Sequence, residues 1–187
     1  SGLTVAGHLE FGRDVTLPNG KQGRTKTTLA LLPDAQFPRL SFFLCQQHRP
    51  ELIYVPEWLS HPNTVDGICG VNIVALEKHH ARLKAQFGGL YDGFETINGG
   101  FKFQTANGVL RVMNAVAFET NISPLPDGIR HEDSPSIAGM DFTTSDMNIL
   151  LEWIEKSETD YRVIENGVAL SKPLLTANTV MRFFGGP

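Results

Sequence analysis

Two stretches of this chain lie over one another. Ile68-Cys69-Gly70-Val71-Asn72-Ile73 aligns with Ile137-Ala138-Gly139-Met140-Asp141-Phe142, and each is followed by one helical pattern and then a hairpin with Asn-Gly at its tip. In the first copy Leu76, His80, Leu83 and Phe87 form a helical stripe that Gly88-Gly89 closes. In the second, Ser145 or Asp146 caps a helix carrying Met147, Leu150, Leu151 and Ile154 on one face. The hairpins turn at Asn107-Gly108 and Asn166-Gly167, and AVAFET (115–120) and NTVMRFFG (178–185) are expected as the closing strands. A duplicated strand-helix-strand-strand-strand unit has one apolar sheet face to bury under its own helix and another to offer a partner. The expected fold is therefore α+β, built from tandem βαβββ modules.

The first sixty residues carry strand signals only. LTVAGHLEF, DVTLP, TKTTLALL and RLSFFLC are separated by breakers, with Pro18-Asn19-Gly20 as a tight turn. Pro50 and Pro56 confine ELIYVPEW to an edge strand or a connection, and no helix is expected before residue 76. By the scheme of the repeat, residues 3–55 read as the last three strands of an earlier copy whose first strand and helix precede Ser1. The expected divisions are 1–63, 64–134 and 135–187. Ser1-Gly2 is either a cloning scar or the cut end of a longer chain.

Composition removes several classes of function. A net charge of −4 with scattered Lys and Arg offers no surface for a run of phosphates, so no nucleic-acid partner is expected. No apolar run approaches the roughly 20 residues that span a bilayer, so no membrane partner is expected either. Two unpaired cysteines, Cys45 and Cys69, suit a reducing cytoplasm better than a disulfide scaffold.

Tandem βαβββ units with this spacing resemble the vicinal oxygen chelate superfamily, which includes glyoxalase I, extradiol dioxygenases and the fosfomycin- and bleomycin-resistance proteins. FFLCQQHRPELIYVPEWLSHPN (42–63) is similar to a glyoxalase-like group of bacterial proteins with a Cys-Gln-Gln-His-x-Pro-Glu segment followed by His-Pro-Asn, and FGRDVTLPNG and GICGVNIVA fit on either side. The resemblance implies paired modules curling their sheets around a cup-shaped pocket, a small-molecule substrate and a homodimer. It also implies that this chain is the C-terminal portion of a longer one. Where such proteins bind a divalent metal (zinc, iron, manganese or nickel), the ligands typically come from the first and last strands of a module. Here the expected first-strand positions read Gly70 and Gly139, Glu119 is the candidate last-strand carboxylate of the first repeat, and the second ends in Arg182-Phe183-Phe184 without an acid. A standard metal site between these two modules is not expected.

Attention therefore falls on QQHRPE. Strand alternation places Gln46 and His48 on one face, with Glu51 close behind. His48 and Glu51 suit either metal ligation or a hydrogen-bonded acid–base pair, with Gln46 orienting substrate. The alternative is that they only satisfy backbone groups at a strand end. His61 is a candidate substrate contact in a loop over the cup mouth, or a loop cap. Arg13 is a candidate anion contact, or a surface cation paired with Asp14. Of His79-His80, one is expected to face the sheet and one water, Cys45 reads as a buried small hydrophobe, and His131 in RHED as solvated. GGLYDGFETINGG has neither P-loop nor dinucleotide spacing. Three readings follow from the resemblance: a glyoxalase-like lyase, isomerase or dioxygenase, with or without a metal; a non-catalytic binder that sequesters a small molecule in the same cup; or a pair of modules that has lost chemistry and serves as a dimerisation or scaffold half.

Overall fold

The computed structural model describes residues 3–129, 133–172 and 176–186 and divides the chain into two units, Leu3–His61 and Pro62 onward. The architecture is α+β. In Leu3–His61 the strands are β1 (Gly7–Phe11), β2 (Asp14–Thr16), β3 (Gln22–Arg24), β4 (Thr27–Leu32) and β5 (Phe42–Gln47). The order β1-β4-β5 makes an antiparallel sheet, and β2-β3 a separate hairpin. That hairpin turns where Asn19-Gly20 is expected to turn it, with Gly20 at φ +79° and the Leu17 N–H donating to the Lys21 carbonyl at 2.9 Å. ELIYVPEW is not extended: Pro50–Leu52 forms a 3₁₀ turn and α1 (Pro56–Leu59) a helical turn. Each proline sits in the first turn, where its missing N–H costs nothing, so these residues start helix instead of interrupting strand.

The unit from Pro62 contains one eight-stranded sheet, in the order β11-β12-β13-β10-β6-β9-β8-β7. Its elements are β6 (Val65–Val74), α2 (Glu77–Gly88), β7 (Glu95–Ile97), β8 (Gly100–Gln104), β9 (Val109–Met113), α3 (Ala115–Asn121), β10 (Ser136–Thr144), α4 (Met147–Lys156), β11 (Tyr161–Ile164), β12 (Gly167–Leu170) and β13 (Val180–Gly185). Each repeat is a complete βαβββ module in which the first strand runs parallel to the last, β6 with β9 and β10 with β13. The two first strands pair antiparallel at the centre of the sheet.

Register makes the duplication concrete. Gly70 lies opposite Asp141 and Gly139 opposite Asn72, so each repeat's glycine faces the polar residue of the other copy. α2 and α4 cover one face. Leu83 and Phe87 bury against Phe101 and Phe103, and Leu150 and Ile154 against Val168 and Phe183. His80 meets the Phe101 ring edge-on at 5.6 Å, whereas His79 turns to the Asp133 carbonyl. Asp146 caps α4, accepting from the Asn148 and Ile149 N–H groups.

AVAFET is the main correction. It is a helix, α3, because Asn114 caps it by accepting the Ala117 N–H at 2.8 Å. Ala117 and Phe118 then pack with Val74, Met113, Ala138 and Val180 on the face of the sheet opposite α2 and α4, called the inner face below. The true last strand of the first module is β9, and its missing partner is the three-residue β7, paired to β8 across Asn98-Gly99 with Gly99 at φ +68°. No helix among the described residues is long and apolar enough to cross a membrane.

Candidate functional site

Strand alternation puts Gly70 and Asn72 of β6, Arg111 of β9, Asp141 of β10 and Arg182 of β13 on the inner face, and Asn72 and Arg111 share a rung, as do Asp141 and Arg182. Their side chains close into one network. Arg182 donates to Asp141 through Nε to Oδ1 and Nη2 to Oδ2, both at 2.8 Å, the two-pronged geometry that fits a guanidinium to a carboxylate. Arg111 Nη1 donates to Asp141 Oδ2 at 3.0 Å and to Asn72 Oδ1 at 3.3 Å, and Asn72 Nδ2 donates to Asp141 Oδ1 at 3.2 Å. Asn72 is 0% exposed, Asp141 3% and Arg182 8%. Gly70 leaves room for this: a Cβ there would run into Asp141 Oδ2 and lie 3.0 Å from Arg111 Nη1. Gly70, expected as a vacant ligand position, is thus space for the charges beside it.

Beside Arg182, α3 and the segment after it roof the inner face of the second module. The cleft so formed, about 630 Å³, is lined by Glu119, Asn121, Ser123, Arg162, Asn166, Arg182 and neighbours. Arg162, on β11, donates from Nη2 to the Ile122 carbonyl at 3.0 Å. Glu119, expected on a last strand, lies on α3 instead and accepts the Leu125 N–H.

The residues singled out in QQHRPE belong to the other unit. Gln46 pairs with Thr28 across β5-β4, and His48 Nε2 lies 2.8 Å from Thr28 Oγ1, which in turn reaches Glu10 Oε1 at 3.3 Å. Gln46, His48, Thr28 and Glu10 therefore share one sheet face, next to a cleft of about 470 Å³ lined by Glu10, Phe11, Gly12, Arg24, Thr25, Lys26, His48 and Arg49. Glu51 is drawn off by Arg49, whose hydrogen bond holds the Glu51 carboxyl below the usual carboxylate range. That makes it a weaker base, engaged with a cation rather than with His48. Arg13 and His61 are exposed; Asp14 is paired with Arg24 at 2.9 Å, not with Arg13. His131 lies outside the described residues. Among the described residues no three His, Cys, Asp or Glu side chains come together as a metal ion would need.

Cys45 corrects another expectation. It is exposed on β5, accepting from Gln47 Nε2, while Cys69 is half-buried and burial, with the nearby Asp141 charge, pushes its thiol pKa up. Because the thiolate is the nucleophile, less of Cys69 is reactive at neutral pH. Iodoacetamide should modify Cys45 at least about tenfold faster than Cys69 when followed by peptide mass spectrometry; equal rates would contradict this placement.

No family model matches the chain, and no curated protein matches it. Among solved structures, a hypothetical protein from Staphylococcus aureus is similar over 98% of this chain, with a TM-score of 0.59 and 9% identity. The chain spans 57% of that protein's length. Methylmalonyl-CoA epimerase from Mycobacterium tuberculosis is similar over 68% of this chain and 93% of its own, with a TM-score of 0.46 and 12% identity. At such identity the first likeness shows a shared fold and nothing about chemistry.

Proposed function

We propose that this chain binds a small molecule in the inner-face cleft of its paired βαβββ modules, as a vicinal-oxygen-chelate-type fold without a metal held between those modules. One observation carries this reading. The network on the inner face of the first and last strands is Asn72, Arg111, Asp141 and Arg182, and both oxygens of its one carboxylate are already taken by guanidinium groups. Two guanidinium groups repel a cation, and an amide oxygen is a poor replacement for imidazole or carboxylate. The donor set does not fit a divalent metal, so no step of a metal-dependent glyoxalase-like mechanism is assigned to it. A polar cleft of about 630 Å³ is of the size that accepts a small ligand.

A second reading, a small-molecule enzyme, rests on His48. Its hydrogen-bonded chain through Thr28 to Glu10 beside an open cleft is an arrangement that can hold a proton-transferring imidazole, with Gln46 on the same face to orient a substrate. Glu51, bound to Arg49, has no part in it.

Metal content and ligand mapping separate the readings. After incubation with zinc, iron, manganese and nickel, the wild-type chain should retain no stoichiometric metal by mass spectrometry. Amide resonances around Asn121, Ser123 and Asn166 should shift when small polar compounds are screened by NMR. Stoichiometric metal that is lost in a His48→Ala, Glu51→Ala variant would overturn the metal-free reading. Shifts confined to residues around His48 would move the site to Leu3–His61.

A further inference from the structure

We infer that the ligand of the inner-face cleft carries a carboxylate, received by Arg162 and Arg182; this rests on the reading that the cleft is a small-molecule site. The first reason is charge. The network sets one carboxylate, Asp141, against two guanidinium groups, the nearly buried Arg182 and the partly exposed Arg111, with a neutral Asn72, and so carries a net charge of about one positive unit on the inner face. Positive charge partly withdrawn from water without a full counter-charge favours an incoming anion.

The second reason is geometry. Arg182 uses Nε and Nη2 on Asp141, and its Nη1 has no acceptor among the described residues, although Arg182 lines the cleft. The guanidinium is fixed in place by the Asp141 fork and by stacking over the Phe184 ring at 5.2 Å, so little ordering is needed to use its remaining donors. Arg162 sits two strands away on the same rung, with Ala169 between them. Two strand spacings put their backbones about 10 Å apart, within reach of two long side chains converging on one group. Arg162 is itself steadied by the Ile122 carbonyl.

Glu119 and Glu165 also line the cleft. Their charge opposes a strongly negative ligand, so the site selects a monocarboxylate over a phosphate dianion or a dicarboxylate.

The test titrates the ¹⁵N-labelled full chain, at constant ionic strength, with acetate, glycolate and benzoate and with acetamide, glycolamide and benzamide; inorganic phosphate is a further probe. The carboxylates should shift cleft resonances with affinity about tenfold or more above their amides, and above phosphate, because each added bond is charge-assisted. Arg162→Gln should abolish that preference, while Arg162→Lys keeps part of it. Arg162 is exposed and makes one backbone contact, so both variants should fold, checked by thermal midpoint. Amides binding the cleft as well as carboxylates would overturn the carboxylate inference and leave the small-molecule site standing. So would a preference that survives Arg162→Gln. Cleft resonances unmoved by every probe would overturn both.

Discussion

Asp141→Ala should lower the unfolding free energy by about 3–5 kcal/mol, the usual cost of removing one partner from a buried ion pair. The loss comes less from the bonds broken than from what is left behind. Arg182 has a side chain only 10% exposed and would keep its charge in the sheet with no carboxylate facing it. Arg111 is different: at 27% side-chain exposure it can swing its head into water. The same reasoning ranks the network. Arg182→Ala should cost less than Asp141→Ala, because Asp141 keeps Arg111 and Asn72 as donors. Arg111→Ala should cost least, on the order of 1 kcal/mol, as for a pair that water partly reaches. Chemical denaturation measures all three, provided the denaturant slope is unchanged. An Asp141→Leu, Arg182→Met pair sharpens the test: with both buried charges gone, more than half of the Asp141→Ala loss should return. If the double variant is no more stable than Asp141→Ala, the charges are not the origin of the cost.

The repeat was the most legible feature of the sequence, and it was legible for a physical reason. Each module needs an amphipathic helix over its sheet and a tight hairpin, and both leave spacing signals: Leu83 and Phe87 one turn apart, Leu150 and Ile154 likewise, and Asn-Gly at the tips. AVAFET reads as strand because a short run with four apolar residues satisfies strand and helix alike, and the deciding group is Asn114, one residue upstream, whose side chain captures the Ala117 N–H. β7 left almost no trace, since Glu-Thr-Ile between glycines is too short to alternate visibly. The inner-face network was half visible. Asn72 and Asp141 stand inside the very segments that align, as polar residues in apolar strands, which is the signal that could have found them. Arg111 and Arg182 could not be joined to them without the register, because parallel pairing of first and last strands is a property of the sheet and not of either strand. The QQHRPE cluster shows the converse. Density along the chain drew attention to Glu51, yet Arg49, two residues before it, takes its carboxylate.

Gly70→Ala and Gly139→Ala should move stability in opposite directions, although the two glycines are counterparts in the repeat. At Gly70 the new Cβ would clash with Asp141 Oδ2 and press on Arg111 Nη1 and Asp141 Cβ, both at 3.0 Å. Neither can yield cheaply, because the carboxylate is held in the Arg182 fork and the Asp141 Cβ is fixed by its strand. Overpacking of this kind costs about 1–3 kcal/mol, and the upper end is expected where the displaced group is a buried ion. At Gly139 the nearest atoms, Asn72 Nδ2 and a Phe118 ring carbon, are 3.4 Å away, which is ordinary contact. Its φ is not in the left-handed region, so alanine fits the backbone and should stabilise by about 0.4–1 kcal/mol by restricting the unfolded chain. The asymmetry follows from one substitution between the copies: opposite Gly70 stands an aspartate forked to arginine, opposite Gly139 an asparagine that is not. Paired denaturation curves decide it. Equal losses at both positions would mean that the glycines serve the strand backbone itself, and that the ion network does not depend on the space Gly70 leaves.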